Sequence, residues 1–301
     1  MGQTSIEWTD VTDNIIVVED GGWWCRRISP GCDHCYAEAL NQNTFFGGNK
    51  MPYRGAPPKL HMRSDIVNNW VNQRKSKKHF VSSMTDVFGE WVPRWMIFMM
   101  LDGMAAASRQ IFQVLTKRPD VMLREVEVWL KATDRPILPP NIWPGCTIEN
   151  QEWADKRRNV FKQIPARTKF ISYEPALGPV DWTGWEFVGQ IISGGESGKG
   201  ARPAHPDWFR ITRDWCITNQ KAFFFKQWGE WEPYTERTAS MFEDTKGFWH
   251  DGHALNILDP ETGDLSKNWD WDFQDKVMFR KVGKKIAGRL LDGRMWDEVP
   301  K

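Results

Sequence analysis

A chain of 301 residues with 40 Lys and Arg against 39 Asp and Glu has a net charge of only +1, so bulk charge does not make it a polyanion binder. It is long enough to bury a substantial core, as one large α/β domain or two smaller ones, without disulfide staples. Its first ten residues carry neither a basic nor an apolar leader region and its five cysteines are an odd number, which points to thiols or metal ligands in a cytoplasmic chain. The longest apolar run, 95–104, falls well short of the ~18 residues of a membrane span and is interrupted by Asp102.

A first strand is expected within 6–18. Apolar, β-branched runs predict further strands over 79–84, 110–115, 169–173, 187–193 and 222–225. The stretch 141–148 is a weaker strand candidate, because Pro144 has no N–H to give to a ladder. Helical patterns over 36–42, 65–73, 94–108, 120–131, 151–163 and 206–219 fall between these runs. The last opens on Pro206-Asp207, a Pro-led acidic first turn. Strand and helix alternate along 1–229, which implies parallel βαβ units.

Polar residues follow almost every strand: Thr85-Asp86, Thr116-Lys117-Arg118, Thr147 with Glu149-Asn150, Glu174, Gly194-Gly195-Glu196-Ser197 and Lys226-Gln227. Active sites of (β/α) barrels are built at the strands' C-terminal ends, so a partial or full TIM-type barrel is favoured over an open doubly wound sheet. Residues 41–60 are rich in Gly, Pro and Asn and read as a long loop, often the makings of a lid. The pattern divides the chain into a barrel core, 1–230, and a C-terminal extension, 231–301, packed on it. A hairpin is expected at 258–265 around the turn Pro260-Glu-Thr-Gly263. The basic runs 74–78, Arg157-Arg158 and 281–289 read as solvated helix faces. Most of the nineteen Trp are expected in the core, although Trp also stacks nucleobases.

Cys25, Cys32 and Cys35 crowd into eleven residues. A catalytic thiol would explain one of them. A closed zinc site needs four ligands, and His34 lies inside the Cys-x2-Cys hook, where its side chain tends to point away. A 4Fe–4S cluster held by three thiolates leaves one iron open for a substrate or cofactor. The Ser29-Pro30-Gly31 turn lets the backbone wrap closely, and the following helix aims its N-terminal amides at the thiolates. Spacing alone leaves iron–sulfur, zinc and chance open. Cys146 and Cys216 are apolar-flanked and read as buried bystanders.

The segments Thr4-Ser-Ile-Glu-Trp-Thr-Asp10 and Ser29-Pro-Gly-Cys-Asp-His-Cys-Tyr-Ala-Glu38 resemble those of a large phage-protein family of formerly unknown function. The resemblance continues through Ser83-Met-Thr-Asp-Val-Phe-Gly-Glu-Trp-Val-Pro93, Val114-Leu-Thr-Lys-Arg-Pro119, Thr147-Ile-Glu-Asn150 and Tyr173-Glu-Pro-Ala-Leu-Gly-Pro179. It extends through Gly194-Gly-Glu-Ser-Gly198, Ala201-Arg-Pro-Ala-His-Pro206, Phe225-Lys-Gln-Trp-Gly-Glu-Trp231 and the tail from Gly288 to Asp297. That family is similar to the radical S-adenosylmethionine (SAM) enzymes, with Cys-x6-Cys-x2-Cys in place of their usual Cys-x3-Cys-x2-Cys. Two departures stand out: 14–24 is longer and more apolar than the family pattern, and Pro144 sits where a plain strand is typical.

The resemblance implies a partial TIM barrel of the radical SAM kind, with a 4Fe–4S cluster on Cys25, Cys32 and Cys35. SAM would complete the open iron, and an external electron donor would release a 5′-deoxyadenosyl radical; the protein supplies position and dryness. Thr85 and Asp86 would face the SAM amino group, Lys117 and Arg118 its carboxylate, and Glu149 its ribose. Glu174 would serve SAM or the substrate, and with Lys226 it makes the catalytic pair. By their places at and after the late strands, and not by transfer from the family, Gly195, Glu196, Arg202 and Lys226 are candidates to bind substrate, while His205 reads as a helix-entry residue. The implied role is isomerisation of an amino-acid-modified thymine in phage DNA, in the host cytoplasm, with no membrane partner. The rival reading is a non-enzymatic, zinc-stabilised phage binding protein, which leaves the polar ring at the strand ends unexplained.

Overall fold

A computed structural model describes residues 2–4, 6–233, 256–258, 265–266 and 277–300. Strand β1 (Gly2–Gln3) pairs antiparallel with β2 (Val11–Asp13). The chain then leaves the main sheet. β3 (Ile16–Val18) and β4 (Leu60–Met62) form an antiparallel ribbon of their own. The long apolar stretch 14–24 is thereby accounted for: it feeds this ribbon and lets the barrel strand end at Asp13. Between the ribbon strands lie the cysteines, α1 (Tyr36–Asn41) and the 41–60 loop.

The main sheet continues with β5 (Lys78–Val81), β6 (Ile111–Thr116), β7 (Ile142–Thr147), β8 (Phe170–Tyr173), β9 (Gln190–Gly194) and β10 (Ala222–Gln227). From β2 to β10 it holds seven parallel strands side by side in sequence order, with no reversal. Right-handed crossovers that never reverse put every helix on one face, so the sheet curls as a half-barrel flanked by helices. Those helices are α2 (Ser64–Asn69), α3 (Arg94–Ala106), α4 (Pro119–Ala132), α5 (Gln151–Gln163) and α6 (Pro206–Thr218).

Alternate strand residues divide into two cores, because successive side chains point to opposite faces. Phe112, Val114, Ile171, Ile191, Phe223 and Phe225 face outward into a large helix-side core, where Cys146 and Cys216 are also fully buried. Burial pushes the Cys146 thiol up to about 12. The concave face is floored by Phe80, Trp143, Phe170, Ile192 and Phe224, with Trp8 against them. Register explains the single stripe, since Gln113 lies opposite Trp143, Gly145 opposite Phe170 and Ile192 opposite Phe224. A Cβ at Gly145 would sit 2.2 Å from the Phe170 ring, so glycine there is what lets Phe170 fold over its neighbour. Among the described residues eleven Trp are buried, so their abundance there is mainly packing.

Pro144 is a full member of β7, opposite Val114. The Phe112 amide donates to Asn141 O and the Ile148 amide to Ser172 O, so odd residues of β7 face β6 and even ones face β8. The β7–β8 pairing begins only at Gly145 and Phe170. The N–H that Pro144 lacks points past the start of β8, where no ladder exists.

Beyond the core, β11 (Trp231–Pro233), β12 (Asn256–Leu258), β13 (Leu265–Ser266) and β14 (Val277–Lys281) form a second, antiparallel sheet. Leu258 lies opposite Leu265, the expected hairpin; its turn lies outside the described residues. After α7 (Lys284–Ala287) the tail returns to the barrel. Asp297 bridges antiparallel to Phe224, and the Phe225 amide donates to Trp296 O at 2.8 Å. Both edges of the parallel sheet are thus covered by short antiparallel segments, which protects them from foreign pairing.

Candidate active site

The mouth of the half-barrel opens on a cleft of about 1030 Å³ that Cys25, Cys32 and Cys35 line together. The segment that carries them owes its position to side chains from the strand ends. Thr85 Oγ1 donates to Trp24 O at 3.2 Å. Arg118 Nη2 donates to Arg26 O at 2.7 Å, and Arg202 Nη2 to Pro30 O at 2.9 Å. The Ser29 hydroxyl donates to the Glu149 carboxylate. Between these anchors Pro30–Cys32 makes one 3₁₀ turn, closed by the Cys32 amide on Ser29 O at 2.8 Å. Gly31 passes directly over the rim: a Cβ there would meet Glu149 Oε1 at 2.8 Å and Lys117 Nζ at 3.1 Å.

The charges under this loop are closed in on one another. Glu149 is fully buried and accepts from Lys117 Nζ at 2.5 Å and Arg157 Nη1 at 2.7 Å. Burial by itself raises its carboxyl, but Lys117 and Arg157 outweigh that and hold it below the ordinary range. Asp86 accepts from Thr116 Oγ1 at 2.7 Å, from the Phe88 and Lys117 amides, and from Arg118 Nη1 at 3.2 Å. Arg118 itself is buried, with its guanidinium 4.6 Å from the Trp91 ring centroid. Desolvation, with the nearby Asp86 charge second, pushes the Cys25 thiol up to about 12. Burial likewise raises the Cys35 thiol.

The opposite wall is arranged differently. Lys226 Nζ straddles both oxygens of Glu174 at 2.7 and 3.0 Å, and Gln227 Nε2 donates to the same carboxylate at 3.1 Å. Both members of the pair keep partial exposure, 18% for Glu174 and 12% for Lys226. Gln227 also donates to Ser197 Oγ at 2.8 Å. Glu196 is buried and takes the Arg202 guanidinium at 2.8 and 2.5 Å, so this pair braces the loop that reaches Pro30. Gly195 lies so close to Trp228 that a Cβ would stand 2.0 Å from its carbonyl oxygen. His205 is the N-cap of α6, accepting from the Asp207 amide at 3.2 Å.

The chain matches, over residues 3–300, the family described as "Protein of unknown function (DUF5131)". It is a member of that family. No curated protein and no solved structure matches it.

The candidate cofactor- and substrate-binding side chains of this DUF5131 member divide between the cleft mouth and its supporting rim, whereas His205 caps α6 and Cys146 and Cys216 lie in the helix-side core. Thr85, Asp86, Lys117, Glu174, Glu196 and Lys226 line the cleft itself. Glu149 and Arg202 sit behind it, occupied with the cysteine loop. Arg157 overturns the reading of Arg157-Arg158 as a solvated face: it is buried against Glu149 and Thr147 O. The signal was present, since Ala154, Arg157 and Phe161 share the buried stripe of α5, and an arginine on such a stripe needs an anion. Ser29 and Gln227 read from the sequence only as a turn residue and a strand-end residue; hydroxyls and amides carry no spacing that marks their distant partners.

The donor set suits an iron–sulfur cluster in kind: three thiols with no disulfide between them, on one wall beside Lys117 and Arg118. The thiols share that wall without converging. Among the described residues, no three His, Cys, Asp or Glu side chains stand close enough to hold a metal ion. Nor, among those residues, is any helix long and apolar enough to cross a membrane.

Proposed function

We propose that the protein is a radical SAM enzyme, in which Cys25, Cys32 and Cys35 hold a 4Fe–4S cluster and leave one iron for SAM. The observation that carries this reading is the anchored loop: three disulfide-free thiols fixed to the C-terminal ends of a curled parallel sheet, facing a shared cleft. Barrel chemistry is built at those ends. When bound, cluster and SAM supply a hydrogen-abstracting 5′-deoxyadenosyl radical once an external donor provides an electron. The chain's own part is to position, to exclude water and to bind. The aromatic floor of Trp8, Phe80 and Phe170 keeps water from below.

The proposed substrate is a thymine carrying an amino acid in phage DNA, and the reaction an isomerisation that moves this amino acid from nitrogen to carbon linkage. Substrate and product then have the same composition. Glu174 and Lys226 suit an amino-acid group, because a zwitterion can exchange partners with an existing ion pair: its ammonium to Glu174, its carboxylate to Lys226. Glu196 and Arg202 act as positioning residues, while Thr85, Asp86 and Lys117 form the wall on the SAM side.

Anaerobic reconstitution tests the reading. About four irons per chain and a brown protein are expected, with loading lost in each of Cys25→Ala, Cys32→Ala and Cys35→Ala. SAM cleavage under dithionite should follow, then turnover of phage-type modified DNA. A colourless protein with about one zinc per chain would support the binding-protein reading and sink this one.

A further inference from the structure

The 41–60 loop presents two exposed aromatic side chains at the rim of the cleft. Phe45 is 88% exposed and Phe46 59%. Their rings meet edge to face, with centroids 5.4 Å apart, and Phe46 reaches the cleft lining beside Tyr36 and Leu40. The tip is held in shape. Thr44–Phe46 is a single 3₁₀ turn in which Asn43 Oδ1 accepts from the Phe45 amide at 2.9 Å. Gly47 closes it at φ +80°. Beneath it the buried Asn41 side chain accepts from the Trp23 amide at 3.0 Å and donates to Met51 O at 3.0 Å. Gly48 packs against the Asn41 carbonyl, where a Cβ would come within 2.3 Å.

A firmly built turn that exposes two adjacent Phe gains nothing for the fold from those rings. The surrounding charge says what would cover them. Residues 21–60 hold five Lys and Arg against two Asp and Glu. Lys50 and Arg54 are both exposed and, among the described residues, neither has an ion-pair partner. Cationic side chains flanking an apolar wedge suit phosphates flanking stacked bases.

We propose that Phe45 and Phe46 form a wedge that enters a DNA duplex and fills the gap left by a nucleotide turned into the cleft. This rests on the reading of the cleft as a nucleobase site. The Glu174–Lys226 pair lies at the strand ends, out of reach of a base still stacked in a duplex, so the base must be extruded. Apolar side chains inserted between base steps are the usual means of holding such a gap.

The experiment uses the full-length chain, with and without reconstituted iron, and a short duplex carrying one aminopurine, a base that fluoresces when unstacked. Wild type should bind and raise the fluorescence severalfold. The Phe45→Ala/Phe46→Ala variant should lose the rise and bind about tenfold or more weakly, with an unchanged melting temperature because both rings are solvent-exposed. Lys50→Glu/Arg54→Glu should make the salt dependence of binding shallower by about two phosphate contacts. Duplex binding without a fluorescence rise overturns the wedge, as does a rise that survives in the double Phe variant. Loss of self-association, or of binding to phosphatidylglycerol vesicles, as the variant's only defect also overturns it. The rise requires neither iron nor SAM. If it is present while iron loading fails, the enzyme reading falls and the wedge stands; SAM cleavage with a flat fluorescence signal gives the converse.

Discussion

The two walls of the cleft are built from the same residue types and used in opposite ways. On the cysteine side, the Glu149 carboxylate is fully buried between Arg157, 3% exposed, and Lys117, which at 21% still reaches the cleft. On the far side, Glu174 and Lys226 face one another at 18% and 12% exposure. The fully buried Glu149–Arg157 pair cannot release a member without leaving an uncompensated charge. A partly solvated pair can, because water and an incoming ligand share the cost. In the proposed reading the first wall is a mount and the second a binding surface.

Removing the mount's carboxylate should have the largest effect. Glu149→Gln leaves Lys117 and Arg157 facing each other without an anion and should cost about 3–5 kcal/mol in urea unfolding. It should also speed alkylation of the three cysteines, because Ser29 loses its anchor. The pH dependence follows from the lowered Glu149 carboxyl. A depressed carboxyl contributes stability that is fully present above its unfolded value of about 4.3 and is lost as pH falls through the lower folded value. The acid limb of a stability–pH curve should flatten in Glu149→Gln. An unchanged limb would show that the carboxylate does not hold the loop.

Gly31→Ala comes next. Its Cβ would lie 2.8 Å from Glu149 Oε1 and 2.9 Å from Cγ, and neither atom has room to retreat inside a buried pair. A cost of about 1–3 kcal/mol is expected, the range for overpacking a filled site, read as a drop in thermal midpoint. The smallest change in stability belongs to the far wall. Lys226→Met and Glu174→Gln should each shift unfolding by less than about 1 kcal/mol, as partly exposed pairs do. They should nevertheless abolish turnover of modified DNA while leaving SAM cleavage in place. A large stability loss in either would make the far wall a second mount and end the contrast.

Much of the frame was legible from local pattern. Six of the seven parallel strands answer to apolar runs, and each major helix to a periodic stretch, because a curled parallel sheet buries both faces and its strands are nearly all apolar. The doubt over Pro144 was local as well; only the register shows that the amide it lacks faces no partner. The departure at 14–24 was visible as a misfit, but its outcome, pairing with 60–62, depended on a contact across forty residues of loop.

Side-chain employment was less legible. Glu149 reads from its place after a strand as a residue for a ligand, yet its partners are Ser29, 120 residues away, and Lys117, 32 residues away. A strand end can point a carboxylate at solvent, at a ligand or at the chain itself, and sequence periodicity is the same for all three. Arg202 is a similar case, held by Glu196 and reaching back to Pro30.

By itself, the sequence determined the alternation of strand and helix, the polar ring at the strand ends and the grouping of three cysteines, since each depends on neighbours within a few residues. Tertiary structure alone decided which charges became a mount, which stayed open to the cleft, and that Phe45 and Phe46 stand at its rim. Those outcomes turn on burial and on partners far apart in the chain, which exist only once the sheet has curled.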